Sequence, residues 1–165
     1  MSTEGSKARM LARVRVIADY QFGRGAGEGL FPDGCEFILS QTGRVRQVLL
    51  GGLRLATLRA GDGRLTLSYT GACRLREAIP APAYRVAIDP SVSDFIAKGK
   101  TAFAKHVVSA DPGIRAGDEV LLVTGADELL ATGTALLSGA EMPSFNYGPA
   151  VKVRQGRESR CFQEE

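Results

Sequence analysis

The stretch Gly99 to Val123, GKTAFAKHVVSADPGIRAGDEVLLV, constrains the chain more than any other. A glycine and closely spaced lysines stand at the mouth of a strand-length run. An Asp-Pro-Gly turn follows at Asp111 to Gly113, and then a second run that is almost wholly apolar. Short strands reversed by such turn chemistry build a small barrel or sandwich. The cations at its mouth give that barrel a basic rim.

The surrounding residues extend the pattern. Tyr84 to Ile88 reads as a strand, and Asp89 or Ser91 can cap the helix after it, with Asp94 placed as in a capping box. Val92, Phe95 and Ile96 are expected to form the buried stripe of this helix, and Gly99 suits the left-handed position just past its end. Ala102 to Ser109 then reads as one strand. Its alternation puts Phe103, Lys105 and Val107 on one face and Ala104, His106 and Val108 on the other, so Lys105 and His106 cannot share a ligand unless the strand is bulged. Glu119 to Thr124, Leu129 to Leu137 and Ala150 to Arg154 are further strands. In the last of these Val151 and Val153 face the core while Lys152 and Arg154 face out. If that strand closes beside the Lys98 to Lys100 loop, the two groups of cations form one track.

The first part of the chain has a different pattern. Met1 to Lys7 is polar and expected to fray, and from Ala8 the residues Leu11, Val14, Ile17 and Ala18 recur at helical spacing, leaving Arg9, Arg13 and Arg15 largely off the stripe. Gly23, Gly25, Gly27 and Gly29 resemble a nucleotide loop only superficially. No strand precedes them and no GK[ST] closes them, so they read as an interhelical turn. Phe37 to Ser40, Val45 to Leu50, Leu53 to Arg59 and Leu65 to Tyr69 are strand runs separated by glycine turns, which predicts an antiparallel sheet. Thr70 can cap a helix over Gly71 to Ala78. Two prolines in Ile79 to Ala83, IPAPA, mark a domain boundary.

Several function classes are disfavoured. No run of apolar residues is long enough to cross a bilayer, and the opening MSTEGSKARM lacks a signal-type apolar core, so a soluble, cytoplasmic protein with no membrane partner is expected. Cys35, Cys73 and Cys161 are dispersed and His106 is the sole histidine, which argues against a zinc site and against any cofactor. Asp62, Asp89, Asp118 and Asp127 fall at turns and caps rather than in a convergent catalytic group. Residues 1–80 carry 12 Lys/Arg against 7 Asp/Glu, and residues 81–165 carry 9 against 11. In the second part, however, the cations cluster at Lys98, Lys100 and Lys105 and at Lys152, Arg154, Arg157 and Arg160. Charges beyond about 8 Å do little to cancel such a patch.

These residues bring in a family. The helix leading into GKTAFAKHVVSAD, the IRAGDEVLLV turn and strand, the ELLATGTALLSGAEM run and the closing GPAVKVR together resemble a PUA domain, a small pseudo-barrel. ADYQFGRGAGEGLFP and TGACRLREAIPAP resemble the small α/β domain that precedes the PUA domain in archaeal tRNA-guanine transglycosylases of archaeosine synthesis. The resemblance implies an α+β chain: residues 1–82 as helices plus an antiparallel sheet, residues 83–158 as the PUA pseudo-barrel and residues 159–165 as a tail. Nothing in it can stand in for that family's catalytic barrel, so a stand-alone, non-catalytic protein is expected. PUA domains bind structured RNA with their first helix, the loop after it, the adjoining strand and the final strand. Carried onto this chain, those elements supply Lys98, Gly99, Lys100, Phe103, Lys105, Lys152, Arg154 and Arg157. The implied partner is RNA, with tRNA preferred, and the implied setting is tRNA modification. Two alternatives stay open: a protein-interaction subunit that completes a split tRNA-modifying enzyme, and an enzyme in its own right.

Overall fold

The computed structural model describes residues 3–159; Arg160 and Cys161 lie outside the described residues. Contacts divide the chain into two compact units, Met1–Ile79 and Pro80–Glu165.

The first unit opens with α1, Thr3–Phe22, which starts well before Ala8. From Thr3 on the polar start is therefore helical rather than frayed, with Glu4 favourably placed in its first turn, while Met1 and Ser2 lie outside the described residues. Val14, Ala18 and Phe22 form its buried line. The glycines that follow are not only a turn, because Ala26–Leu30 forms a short helix, α2, with Gly27 and Gly29 inside it. A Cβ at Gly27 would lie 2.3 Å from the Arg15 carbonyl oxygen, and one at Gly29 would lie 2.3 Å from the Ala78 Cβ. Glycine lets the backbone of α2 touch that of α1 at Gly27 and lets it close on the Ala78 methyl at Gly29, which a larger residue would prevent.

Four strands follow, β1 (Glu36–Leu39), β2 (Val45–Leu50), β3 (Leu53–Leu58) and β4 (Leu65–Leu67), in the antiparallel order β1-β2-β3-β4. The helix α3 spans Tyr69–Ala78, and its cap is Ser68, whose hydroxyl accepts the Gly71 N–H. Thr70 is instead already inside the first turn. Ala72 and Leu75 are buried as expected.

In the second unit the strands are β5 (Arg85–Ile88), β6 (Ala102–Phe103), β7 (Val107–Ala110), β8 (Glu119–Val123), β9 (Leu129–Ala135) and β10 (Pro149–Gly156). The run Ala102 to Ser109 is therefore not one strand: a 3-10 turn, Ala104–His106, divides it. Its two pieces pair with different neighbours, since β6 joins β10 and β7 joins β5. The strand order is β6-β10-β9-β8-β5-β7, which puts these sequence neighbours at opposite ends of the sheet. The 3-10 turn thus links the two edges and nearly closes a barrel, the mixed helix-and-sheet architecture anticipated from the sequence. Ile88, Ile96, Ile114, Val120, Leu122, Leu130, Met142 and Val151 fill it. Among the described residues no helix is long and apolar enough to cross a membrane.

Candidate nucleic-acid interface

Asp89 starts the local structure that presents the lysines. Its carboxylate accepts the Ser91 N–H and caps a 3-10 turn, Pro90–Val92, which runs into α4, Ser93–Ala97. That bond, with the Ser91 hydroxyl and then the nearby His106, holds the Asp89 carboxyl below its ordinary range. Ser91 itself is not the helix cap. Because α4 has only five residues, it buries Ile96 and Ala97 and leaves Phe95 58% exposed. The stripe read from helical spacing thus overestimates what so short a helix can turn inward. Gly99 takes φ +96° as a left-handed residue past the helix end, and Lys98 and Lys100 project on either side of it.

The final strand meets this loop. Phe103 lies opposite Pro149 and Ala102 opposite Val151, and the Ala104 N–H donates to the Gly148 carbonyl at 2.9 Å. Beyond the strand, the Glu158 N–H donates to the Ala97 carbonyl at 2.8 Å. The Ser159 hydroxyl accepts the Gly156 N–H and donates to the Lys98 carbonyl. A Cβ on Gly156 would stand 2.2 Å from the Ala97 oxygen, so the two backbones are in direct contact. The backbone segments that carry the cations on either side of this seam therefore lie next to each other.

Lys98, Lys100, Lys105, Lys152 and Arg157 are exposed, and their side chains make no ion pair or hydrogen bond among the described residues. Arg154 has a different position. Its guanidinium donates to the carboxylate of Glu119, a residue only 4% exposed, and to the Thr134 hydroxyl at 2.8 Å. Glu119, Thr134 and Lys152 are paired in a row across β8, β9 and β10, and Arg154 reaches along that row. Its charge neutralises a buried acid, so the free positive field comes from the others. Replacing Arg154 by alanine is expected to destabilise the second unit by about 2–3 kcal/mol, because a buried carboxylate loses its cation. Thermal melts of R154A, and of a double variant that also carries E119L and recovers most of the loss, check this.

Phe103 is 44% exposed and borders the same hollow as Lys105. With Asn146, Tyr147 and Gly148 these two residues line a hollow of about 190 Å³. Tyr147 is 77% exposed, and Phe145 meets it edge-on with ring centroids 6.4 Å apart. Asn146, Tyr147 and Phe95 are absent from the surface inferred from sequence. An aromatic between an amide and a glycine in a loop was the available signal for Tyr147. Phe95 was hidden by its helical spacing. His106 is half-buried at the barrel corner, and its carbonyl accepts the Asp89 N–H.

The four turn aspartates have structural partners. Asp62 accepts the Arg64 N–H and pairs with Arg59, which together keep its carboxyl below the usual range; Asp118 accepts the Arg115 N–H and Asp127 pairs with Arg85. Cys35 is buried, and burial pushes its thiol pKa up. Among the described residues no group of three His, Cys, Asp or Glu could hold a metal ion.

Comparison with known proteins gives the lineage. Residues 12–82 match the patch-forming domain C2 of tRNA-guanine transglycosylase, and residues 84–157 match the PUA domain. The tRNA-guanine(15) transglycosylase of Pyrococcus abyssi is 54% identical over 143 residues, covering 87% of this chain and 24% of that protein. The enzyme of the same name from Methanothermobacter thermautotrophicus is 50% identical over 147 residues, covering 88% of this chain and 22% of that protein. The chain thus spans about a quarter of the length of these relatives. In fold it is similar to a hypothetical protein from Pyrococcus horikoshii, with TM-score 0.72, 22% identity and coverage of 94% and 95% of the two chains. It is also similar to a conserved PUA domain protein from Thermoplasma acidophilum, with TM-score 0.65, 19% identity and coverage of 99% and 96%. The chain therefore belongs, over residues 12–82, to the C2 domain family of tRNA-guanine transglycosylase and, over residues 84–157, to the PUA domain family.

Proposed function

We propose that this chain is a non-catalytic RNA-binding protein that grips tRNA along the seam between β6 and β10, in the service of a transglycosylase-type tRNA modification. One observation carries the reading. Five exposed cations that have no carboxylate partner among the described residues line a seam where glycine opens the backbone and aromatic rings are exposed. Unpaired cations neutralise phosphates, and exposed rings stack on unpaired bases. The matched relatives are named for action on tRNA, which supports tRNA over other RNA. They also extend far beyond the matched segment, which favours a role beside a transglycosylase catalytic part, in the same polypeptide or in a partner.

Filter binding of the full chain to unfractionated tRNA over a range of salt tests the reading. Affinity should fall by about 0.7–0.9 log units per log unit of salt for each phosphate contact. Affinity independent of salt would overturn it. The hollow adds a separable expectation, because F103A and Y147A should each weaken binding by about tenfold while leaving the salt slope unchanged, as loss of a stacking partner does. A change in slope without loss at low salt would remove these rings from the site.

A further inference from the structure

The seam leaves the outward face of α1 unexplained. The helix buries Val14, Ala18 and Phe22, and Arg9, Ala12, Val16 and Asp19 stand exposed on the opposite side with Tyr20 beside them. Val16 is 67% exposed and Tyr20 is 94% exposed. One exposed valine or tyrosine is ordinary for a protein surface. The spacing is not, because steps of three, four and three residues from Arg9 to Asp19 keep all four side chains on one line along the helix, as in the seam of a coiled coil. Arg9 makes no ion pair or hydrogen bond through its side chain among the described residues. Asp19 accepts the Gly27 N–H through Oδ1 at 2.7 Å, and among the described residues no cation pairs with it.

This line is complementary to its own reverse. Two copies of α1 laid antiparallel about a twofold axis level with Val14 set Ala12 across from Val16 and Arg9 across from Asp19, each pairing occurring twice. Small then meets branched, and cation meets carboxylate. A parallel pair would instead put Arg9 against Arg9 and Asp19 against Asp19, with like charges in contact. The charge pattern thus selects one orientation. It also favours a second copy of this chain over an unrelated partner, because both halves of each pairing lie on the same helix.

We propose that the chain forms a reversible twofold dimer through α1, in which Arg9 of each copy pairs with Asp19 of the other and lies along its Tyr20 ring. The dimer does not depend on RNA binding and is tested without RNA. Its contact is smaller than the about 1,200 Å² of a stable interface, and the two Arg13 side chains flank the axis and repel each other. A dissociation constant on the order of tens of micromolar is therefore expected. Sedimentation velocity of the full chain across concentration reads it directly. V16E, R9E and D19R should each weaken association by about tenfold or more. An equimolar mixture of the R9E and D19R chains should restore the dimer, because one chain then carries only acids at these two positions and the other only cations. Thermal melts run alongside separate lost contact from lost fold. V16E and R9E alter exposed side chains that hold no bond among the described residues, so both should melt with wild type. They keep the test decisive should D19R, which gives up the bond from Gly27, fail to fold. A wild-type chain that stays monomeric about tenfold above the expected dissociation constant would overturn the dimer. Association unchanged by V16E and R9E would overturn α1 as its interface, and another surface or another protein would be its occupant's address. Folded R9E and D19R chains that remain apart when mixed would overturn the antiparallel pairing.

Discussion

Replacing Lys98, Lys100, Lys105 and Lys152 together by alanine is expected to lower the tRNA affinity of this chain by about three orders of magnitude at 0.1 M salt. Each phosphate contact contributes about 0.7–0.9 log units per decade of salt, and 0.1 M lies one decade below the 1 M reference, so four contacts sum to about three log units. The slope of affinity against salt should become shallower by about the same number. The fold should be unaffected, because none of the four side chains makes an ion pair or hydrogen bond among the described residues. Filter binding read beside a thermal melt therefore separates the two effects. An affinity within about threefold of wild type, or an unchanged slope, would exclude the seam as the phosphate track. Arg154 is deliberately outside this set, since its removal strands Glu119 and would mix instability with lost binding.

A single methyl group on Gly156 is expected to do nearly as much damage by another route. The added Cβ of G156A would stand 2.2 Å from the Ala97 oxygen, 2.7 Å from the Ala97 carbonyl carbon and 2.8 Å from the Gly99 nitrogen. All three are backbone atoms, so no rotamer change relieves the overlap; the end of β10 and the α4–β6 loop must separate. Overpacking of this kind costs about 1–3 kcal/mol and more where backbone must move. For a unit of this size that corresponds to a fall in Tm of about 4–24 °C. The displaced loop is the one that carries Lys98 and Lys100, so RNA affinity should fall as well, even at temperatures where the variant remains folded. Gly148 is the control. Its φ of +86° disfavours a side chain, yet nothing lies within 4 Å of the added carbon, so G148A should cost only about 1 kcal/mol. Equal melting of G156A and wild type would mean that the two backbones are not in contact.

Local chemistry made much of this molecule legible. Glycine turns with short apolar runs between them foretell the β1 to β4 meander, and Gly99 is identifiable as a left-handed residue because a glycine follows a helical pattern and precedes a strand. The meeting of the Lys98 to Lys100 loop with the final strand was anticipated as well. What escaped depends on distant partners. An unbroken run from Ala102 to Ser109 contains nothing to show that its halves pair with strands at opposite ends of a sheet. Arg154 alternates outward like any exposed residue, and only the pairing of three strands reveals the buried acid it answers. Gly27 and Gly29 resembled a loop because the helix they permit depends on what packs against it. Ser68 and Thr70 are both capable of capping, and the helix start was settled by the bond from Gly71.

The 3-10 turn at Ala104–His106 has a further consequence. It joins two sheet edges, and one of those edges, β6, is only two residues long. The barrel is thus fastened at its weakest ladder, and the lysines stand on both sides of the fastening. A phosphate chain laid across Lys105 and Lys152 would act as an external staple, sharing the load that two residues of strand pairing otherwise bear. If RNA binds as proposed, ligand and latch would be thermodynamically linked, and capture would tighten the protein around its own closure.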